Sequence, residues 1–102
     1  MSGPIVTFTT DFGVWDGFVG TMKGVALGIC PGLTIVDISH DVPPQDVRTG
    51  GLILRAAHSY FPKGTIHVAV VDPGVGSGRR AMLVEDDRYL FLGPDNGILT
   101  FA

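Results

Sequence analysis

Apolar positions along this chain switch between two spacings, and each switch marks a change of element. Ile5 to Thr9 is a short, β-rich run that closes on Thr10, Asp11, Phe12 and Gly13, which predicts a strand handing Asp11 to a loop. Asp16 then stands where a helix N-cap belongs, and Phe18, Met22, Val25 and Ile29 recur at helical spacing until Pro31 and Gly32 end the segment. Gly20, Gly24 and Gly28 fall four apart on that helix, a stripe that reads as tight packing against another backbone. Leu33 to Ile38 predicts a second strand. After Pro43 and Pro44, Asp46 opens a second helix carrying Val47, Ile53, Leu54, Ala57 and Phe61, which ends before Pro62. Thr65 to Val71 is nearly all apolar and β-branched, the mark of a strand covered on both faces, and it delivers Asp72 to a loop. Met82 to Glu85 and Tyr89 to Gly93 predict two further strands around Asp86 and Asp87. Beyond the turn Pro94-Asp-Asn-Gly97, Ile98 to Phe101 reads as the start of another strand.

Strand, helix, strand, helix, strand is the order of an α/β domain with a largely parallel sheet flanked by helices. Ligands of such sheets settle outside the carboxyl ends of the strands, the edge expected to carry both Asp11 and Asp72. The 102 residues make one domain, and the unfinished last strand suggests part of a longer protein.

Composition removes whole classes of function. With 45% hydrophobic and 17% charged residues, the chain is neither disordered nor a coiled coil. A formal charge of -3 leaves no basic stripe to neutralise a phosphate backbone, so nucleic acid is not an expected partner. No apolar run approaches the roughly 18 residues of a membrane span. The single cysteine, Cys30, has no internal disulfide partner, and with no presequence the expected setting is the cytoplasm.

The richest segment is Asp72-Pro-Gly-Val-Gly-Ser-Gly-Arg-Arg80, where glycines let backbone amides converge between an acid and two arginines. Arg79 and Arg80 stand where a P-loop needs Lys and Ser or Thr, and a strand follows where a dinucleotide fingerprint needs a helix. The same objection meets a methyltransferase loop of the form Asp-x-Gly-x-Gly-x-Gly. Asp11-Phe-Gly13 matches the metal-binding triplet of protein kinases, but no other kinase motif accompanies it. His40 and Asp41 read as a local hydrogen-bonded turn, His67 as a core histidine, and His58 as a helical residue among polar neighbours. No Cys/His cluster or nucleophile-elbow serine is present, so neither a metal nor a serine triad is expected.

Taken together, Thr10-Asp-Phe-Gly13 with Asp16, Met22-Lys-Gly24, Ile35 to Asp41, Phe61-Pro62, Val71-Asp-Pro-Gly-Val-Gly76 with Arg79 and Arg80, and Gly93-Pro-Asp-Asn-Gly97 resemble the S-adenosylmethionine hydroxide adenosyltransferases. These are homologues of the S-adenosylmethionine fluorinases and chlorinases, and the resemblance runs in order along essentially the whole chain. It implies the N-terminal α/β domain of the fluorinase-like fold, without the β-barrel-like C-terminal domain, from a protein that assembles as a homotrimer. The implied activity is hydrolysis of S-adenosylmethionine to adenosine and L-methionine, with S-adenosylmethionine as substrate and no cofactor.

The resemblance assigns Asp11 to the ribose hydroxyls, which suits a carboxylate able to accept two hydrogen bonds from a diol, with Asp16 beside it. It assigns Asp72 and Arg79 to the attacking water, and the histidine that completes the family's trio falls beyond Ala102. A halogenase is the alternative within the superfamily. Two departures disfavour it: a carboxylate at Asp72 would repel a halide, and only Glu85 to Arg88 join Val84 to Tyr89, where halogenases carry a long insertion. A non-catalytic module that binds adenosine or S-adenosylmethionine and oligomerises is the alternative from another class.

Overall fold

The computed structural model describes residues 3–71 and 80–101. Strand β1 (Ile5–Thr10) leads through α1 (Phe18–Ile29) to β2 (Thr34–Ser39). Helix α2 (Val47–Ala57) and a single 3-10 turn (His58–Tyr60) then lead to β3 (Ile66–Val70), and the strands β4 (Ala81–Glu85) and β5 (Leu90–Pro94) complete the sheet. Its order is β2-β1-β3-β5-β4. The pairs β1–β2, β1–β3 and β3–β5 are parallel, and β4 runs antiparallel to β5. The expected α/β class and largely parallel sheet are therefore observed.

The two helices lie on opposite faces. Phe8 pairs with Asp37, and Lys23 of α1 reaches Asp37, so α1 covers the face bearing Val6 and Phe8. Thr7 pairs with His67 and Thr9 with Ala69 on the other face, where Leu54 of α2 joins Ala69, Val71, Phe91, Val42 and Ile98 in the core. Phe91 is fully buried there, and truncating it to Ala would cost about 3 to 5 kcal/mol. Asp46 caps α2 as its sequence position predicts, its carboxylate accepting the Thr49 N–H at 3.0 Å and the Thr49 hydroxyl at 2.7 Å. The Thr49 hydroxyl and N–H hold the Asp46 carboxyl below its ordinary pKa.

Four expectations change. The N-cap of α1 is Gly17 rather than Asp16, although the Asp16 carboxylate still accepts the Phe18 N–H at 3.1 Å. Ile98 to Phe101 is a turn, not a strand, because Asn96 folds the chain back: its side chain accepts the Ile98 N–H and donates to the Val71 carbonyl, dropping Ile98 and Leu99 into the core. Where the glycine stripe of α1 was expected to pack, a Cβ on Gly20, Gly24 or Gly28 would meet nothing within 4 Å. Close approach belongs to α2 instead, where a Cβ on Gly51 would lie 2.9 Å from the Ile98 carbonyl oxygen. His58, finally, stands among rings, with Tyr89, Phe91 and Phe101 all within 5.2 to 5.7 Å centroid to centroid, while its Nδ1 meets the carbonyls of Leu54 and Arg55 on α2.

One side of the domain has little cover. Val25 and Ile29 of α1 are exposed, and Val19 is the helix's one buried residue. Leu83 and Leu92 are exposed on the outer strands, where Val68, Val70, Ala81, Leu92 and Pro94 line a shallow hollow of about 400 Å³.

Candidate functional site

The direction of chain crossover reverses at β1, because α1 leads to a neighbour on one side and α2 to a neighbour on the other. Such a reversal opens a crevice at the carboxyl ends of β1 and β3. Asp11 follows β1 directly at this edge. Thr10 pairs with Val70, so Val71, the residue that follows β3, reaches the same edge. Asp72 and Arg79 lie outside the described residues.

Asp11 is held by the β2–α2 connection. Its Oδ2 accepts the backbone N–H of Gln45 at 2.7 Å. Gln45 has φ 64°, the one non-glycine residue in the left-handed region among those described. Pro44 before it and the capping residue Asp46 after it leave the intervening N–H little freedom, and it turns toward Asp11. One carboxylate oxygen of Asp11 is thus anchored, and nothing among the described residues bonds the other. Asp16 lies further along the same β1–α1 connection and is exposed, beside the exposed Val14 and Trp15. Asp11 and Asp16 thus share one loop.

Behind this loop lies a polar chain that sequence reasoning missed. His40 is buried; its Nδ1 is 2.7 Å from Thr10 Oγ1 and its Nε2 2.8 Å from Asp37 Oδ1, while Lys23 donates to Asp37 Oδ2 at 2.5 Å. Burial would raise the Asp37 carboxyl, but the hydrogen bonds from Lys23 and His40 outweigh it and hold that group below its ordinary pKa. Asp41 takes part in a local hydrogen-bonded turn, as its sequence position predicts, its N–H donating to Ser39 Oγ at 3.0 Å, while the ring of His40 bonds Thr10 and Asp37. The signal available was Asp37 three residues before His40, obscured because the β1–β2 register skips Ile38.

His67 is the core histidine its sequence position predicts. Its Nδ1 lies 2.6 Å from Thr7 Oγ1, its ring stacks on Phe91, and its Nε2 has no partner among the described residues. Burial, with His58 nearby, pushes its pKa down to about 4. Among the described residues no three His, Cys, Asp or Glu side chains gather to hold a metal ion.

An open α/β sheet with a carboxylate at its crossover point defines a broad class of ligand-binding domains. Residues 6–102 match the family model described as the SAM hydroxide adenosyltransferase N-terminal domain, and the chain belongs to that family. It is 47% identical over 101 residues to the (R)-S-adenosyl-L-methionine hydrolase of Salinispora arenicola, covering 99% of this chain and 38% of the relative. To the hydrolase of the same name from Thermus thermophilus it is 44% identical over 97 residues, covering 95% and 38%. A fluorinase from Actinoplanes is 30% identical over 120 residues, covering 95% and 40%. Among solved structures, a conserved hypothetical protein of Thermus thermophilus superposes with a TM-score of 0.86 at 44% identity, covering 96% of this chain and 41% of that one. The chain spans about two fifths of the length of the curated relatives it matches.

Proposed function

We propose that the full-length protein hydrolyses (R)-S-adenosyl-L-methionine to adenosine and L-methionine. The observation that carries this reading is the 47% identity over 99% of the chain to a protein of that activity. The fluorinase alignment runs over 120 positions, more than the 102 residues present, so that relative carries residues this chain lacks. That difference favours water over halide as nucleophile, in keeping with the short β4–β5 connection.

In the proposed step a water oxygen bonds to the ribose 5' carbon as the carbon–sulfur bond breaks, and the bonding pair leaves on sulfur. Methionine departs as a neutral thioether, so the leaving group needs no proton. Asp72 orients the water and takes its proton, Arg79 stabilises the charge developing on oxygen, and Asp11 holds the ribose diol with Asp16 beside it. The anchored oxygen of Asp11 supports its role, since a fixed carboxylate loses little freedom on binding. The same reading includes a homotrimer, for which the exposed apolar residues of α1 and of the outer strands offer surfaces to bury, and a cytoplasmic location.

The test is chromatographic detection of adenosine from S-adenosylmethionine, with and without chloride, on the wild type and on Asp72→Ala and Arg79→Ala. The expected result is adenosine whether or not chloride is present, with each variant slowed by about 2 to 4 kcal/mol and the pair together by less than the sum. Undiminished turnover by both variants refutes the roles. A chlorinated nucleoside refutes hydrolysis.

A further inference from the structure

The proposed mechanism leaves a buried and fully bonded histidine beside the site without a task. His40 is 4% exposed, and both its ring nitrogens are engaged, one by Thr10 at the end of β1 and one by Asp37 on β2. A carboxylate only accepts, so Nε2 carries a hydrogen for Asp37, and in the neutral ring Nδ1 remains as acceptor of the Thr10 hydroxyl. That hydroxyl oxygen, having given its hydrogen to His40, accepts the Phe12 N–H at 3.2 Å. Two backbone bonds run alongside: the Gly13 N–H donates to the His40 carbonyl at 2.7 Å and the Val42 N–H to the Thr10 carbonyl at 3.3 Å. Residues 10 and 13 are therefore tied to the segment 40–42, residue 12 is tied to the Thr10 hydroxyl that His40 holds, and the residue left between them is Asp11.

We propose that His40, set by Asp37 and acting through the Thr10 hydroxyl, is a positioning residue for the ribose-binding carboxylate Asp11. The inference rests on the reading of Asp11 given above. A hydroxyl with freedom to rotate could donate elsewhere and leave the Phe12 N–H unpaired; Asp37 removes that freedom by fixing which nitrogen of His40 accepts. Lys23 donates to the other oxygen of Asp37, which ties the relay to α1 as well as to β2. A catalytic role is not implied, since the His40 ring is buried behind the loop and its link to Asp11 runs through the Thr10 hydroxyl.

The arrangement predicts which single atoms matter. Thr10→Ser keeps the hydroxyl and Thr10→Val removes it at nearly constant shape. His40→Asn places an amide oxygen near the position of Nδ1, whereas His40→Gln reaches toward Asp37 and abandons Thr10. In the full-length protein, calorimetry with adenosine should find Thr10→Ser and His40→Asn within about threefold of wild type. Thr10→Val and His40→Gln should weaken binding about five- to tenfold, the scale of one hydrogen bond, with kcat changed far less than KM. In an Asp11→Asn background Thr10→Val should cost nothing further, because it acts through the group already lost. An equal factor in both backgrounds, or equal behaviour of the Asn and Gln variants at position 40, overturns the inference while leaving the functional reading intact. Wild-type protein that fails to bind adenosine overturns that reading and this inference with it. Variants too unstable to titrate are compared by the amide proton shift of Phe12, which should move in Thr10→Val and stay in Thr10→Ser; no movement in Thr10→Val counts against the proposal.

Discussion

The backbone N–H of Gln45 donates to the Asp11 carboxylate at 2.7 Å, across 34 positions of sequence, from a residue held at φ 64°. A left-handed non-glycine residue costs of order 1 kcal/mol or more, and such strain persists only where its surroundings hold it. Here the hydrogen bond to a carboxylate repays it. The bond also couples the β2–α2 connection to the β1–α1 connection at the edge of the sheet.

Substitutions at Gln45 separate the strain from the bond. Gln45→Gly keeps the N–H and accepts a positive φ, so its stability should stay within about 1 kcal/mol of wild type. Gln45→Pro removes the donor and requires a negative φ, and should destabilise by about 2 to 4 kcal/mol. Urea denaturation of the two variants checks this, and equal midpoints would refute it.

Asp11→Asn retains an oxygen to accept the Gln45 N–H but gives up the charge that the proposed role offers to the ribose diol. Adenosine affinity should fall about tenfold, with kcat affected only a few-fold, because a contact remote from bond breaking contributes mainly uniform binding. Calorimetry beside steady-state kinetics measures both, and unchanged affinity would reject the ribose role.

His67 makes stability depend on pH in a definite window. Its folded pKa is about 4 against an ordinary 6.5, so between those values the unfolded chain binds more protons than the folded one. The contribution is complete above pH 6.5 and is lost as the pH falls toward 4, by about 3 kcal/mol in all. Asp37, Asp46 and Asp86, each held below its ordinary carboxylate pKa, lose their contributions at lower pH still, below about 3.8. Denaturation midpoints measured from pH 7 to pH 4 should slope for the wild type and flatten for His67→Gln. Parallel slopes would show that another group is responsible.

Two glycines on different helices should respond with opposite sign. Gly51→Ala forces a methyl against the Ile98 carbonyl and should destabilise by about 1 to 3 kcal/mol. Gly24→Ala meets nothing within 4 Å and should stabilise α1 by about 0.5 to 1 kcal/mol through helix propensity alone. Thermal melts of both variants decide it, and a destabilising Gly24→Ala would mean that something covers the outer face of α1.

Local signals were enough for the strands and helices because each is bounded by residues with strong conformational rules. Pro31 and Gly32 end α1, Asp46 caps α2, and Pro62 follows its last turn. Asp11 was legible as a loop carboxylate for the same reason. What stayed hidden were contacts between distant residues. The anchor on Asp11 is a backbone N–H, which has no side-chain signature, and His40 pairs with Thr10 thirty residues earlier instead of with its neighbour Asp41. The Ile98 to Phe101 segment misled because its apolar alternation suits a strand, while Asn96, bonding Val71 and Ile98 at once, makes a turn more favourable.

The strand order also fixes when the crevice can come into being. Among the described residues, only β4 and β5 pair across a short connection; β1 must find β3 across an intervening helix–strand–helix segment, with Thr7 meeting His67 sixty residues away. Closing so long a loop costs entropy before any contact compensates for it, so the β4–β5 ribbon should gain protection early and the β1–β3 seam late. A chain emerging from the ribosome has Asp11 exposed to solvent long before β3 arrives to flank it. Pulse-labelled exchange during refolding would register the order, with the amides of Val84 and Phe91 protected ahead of those of Thr9 and Val68.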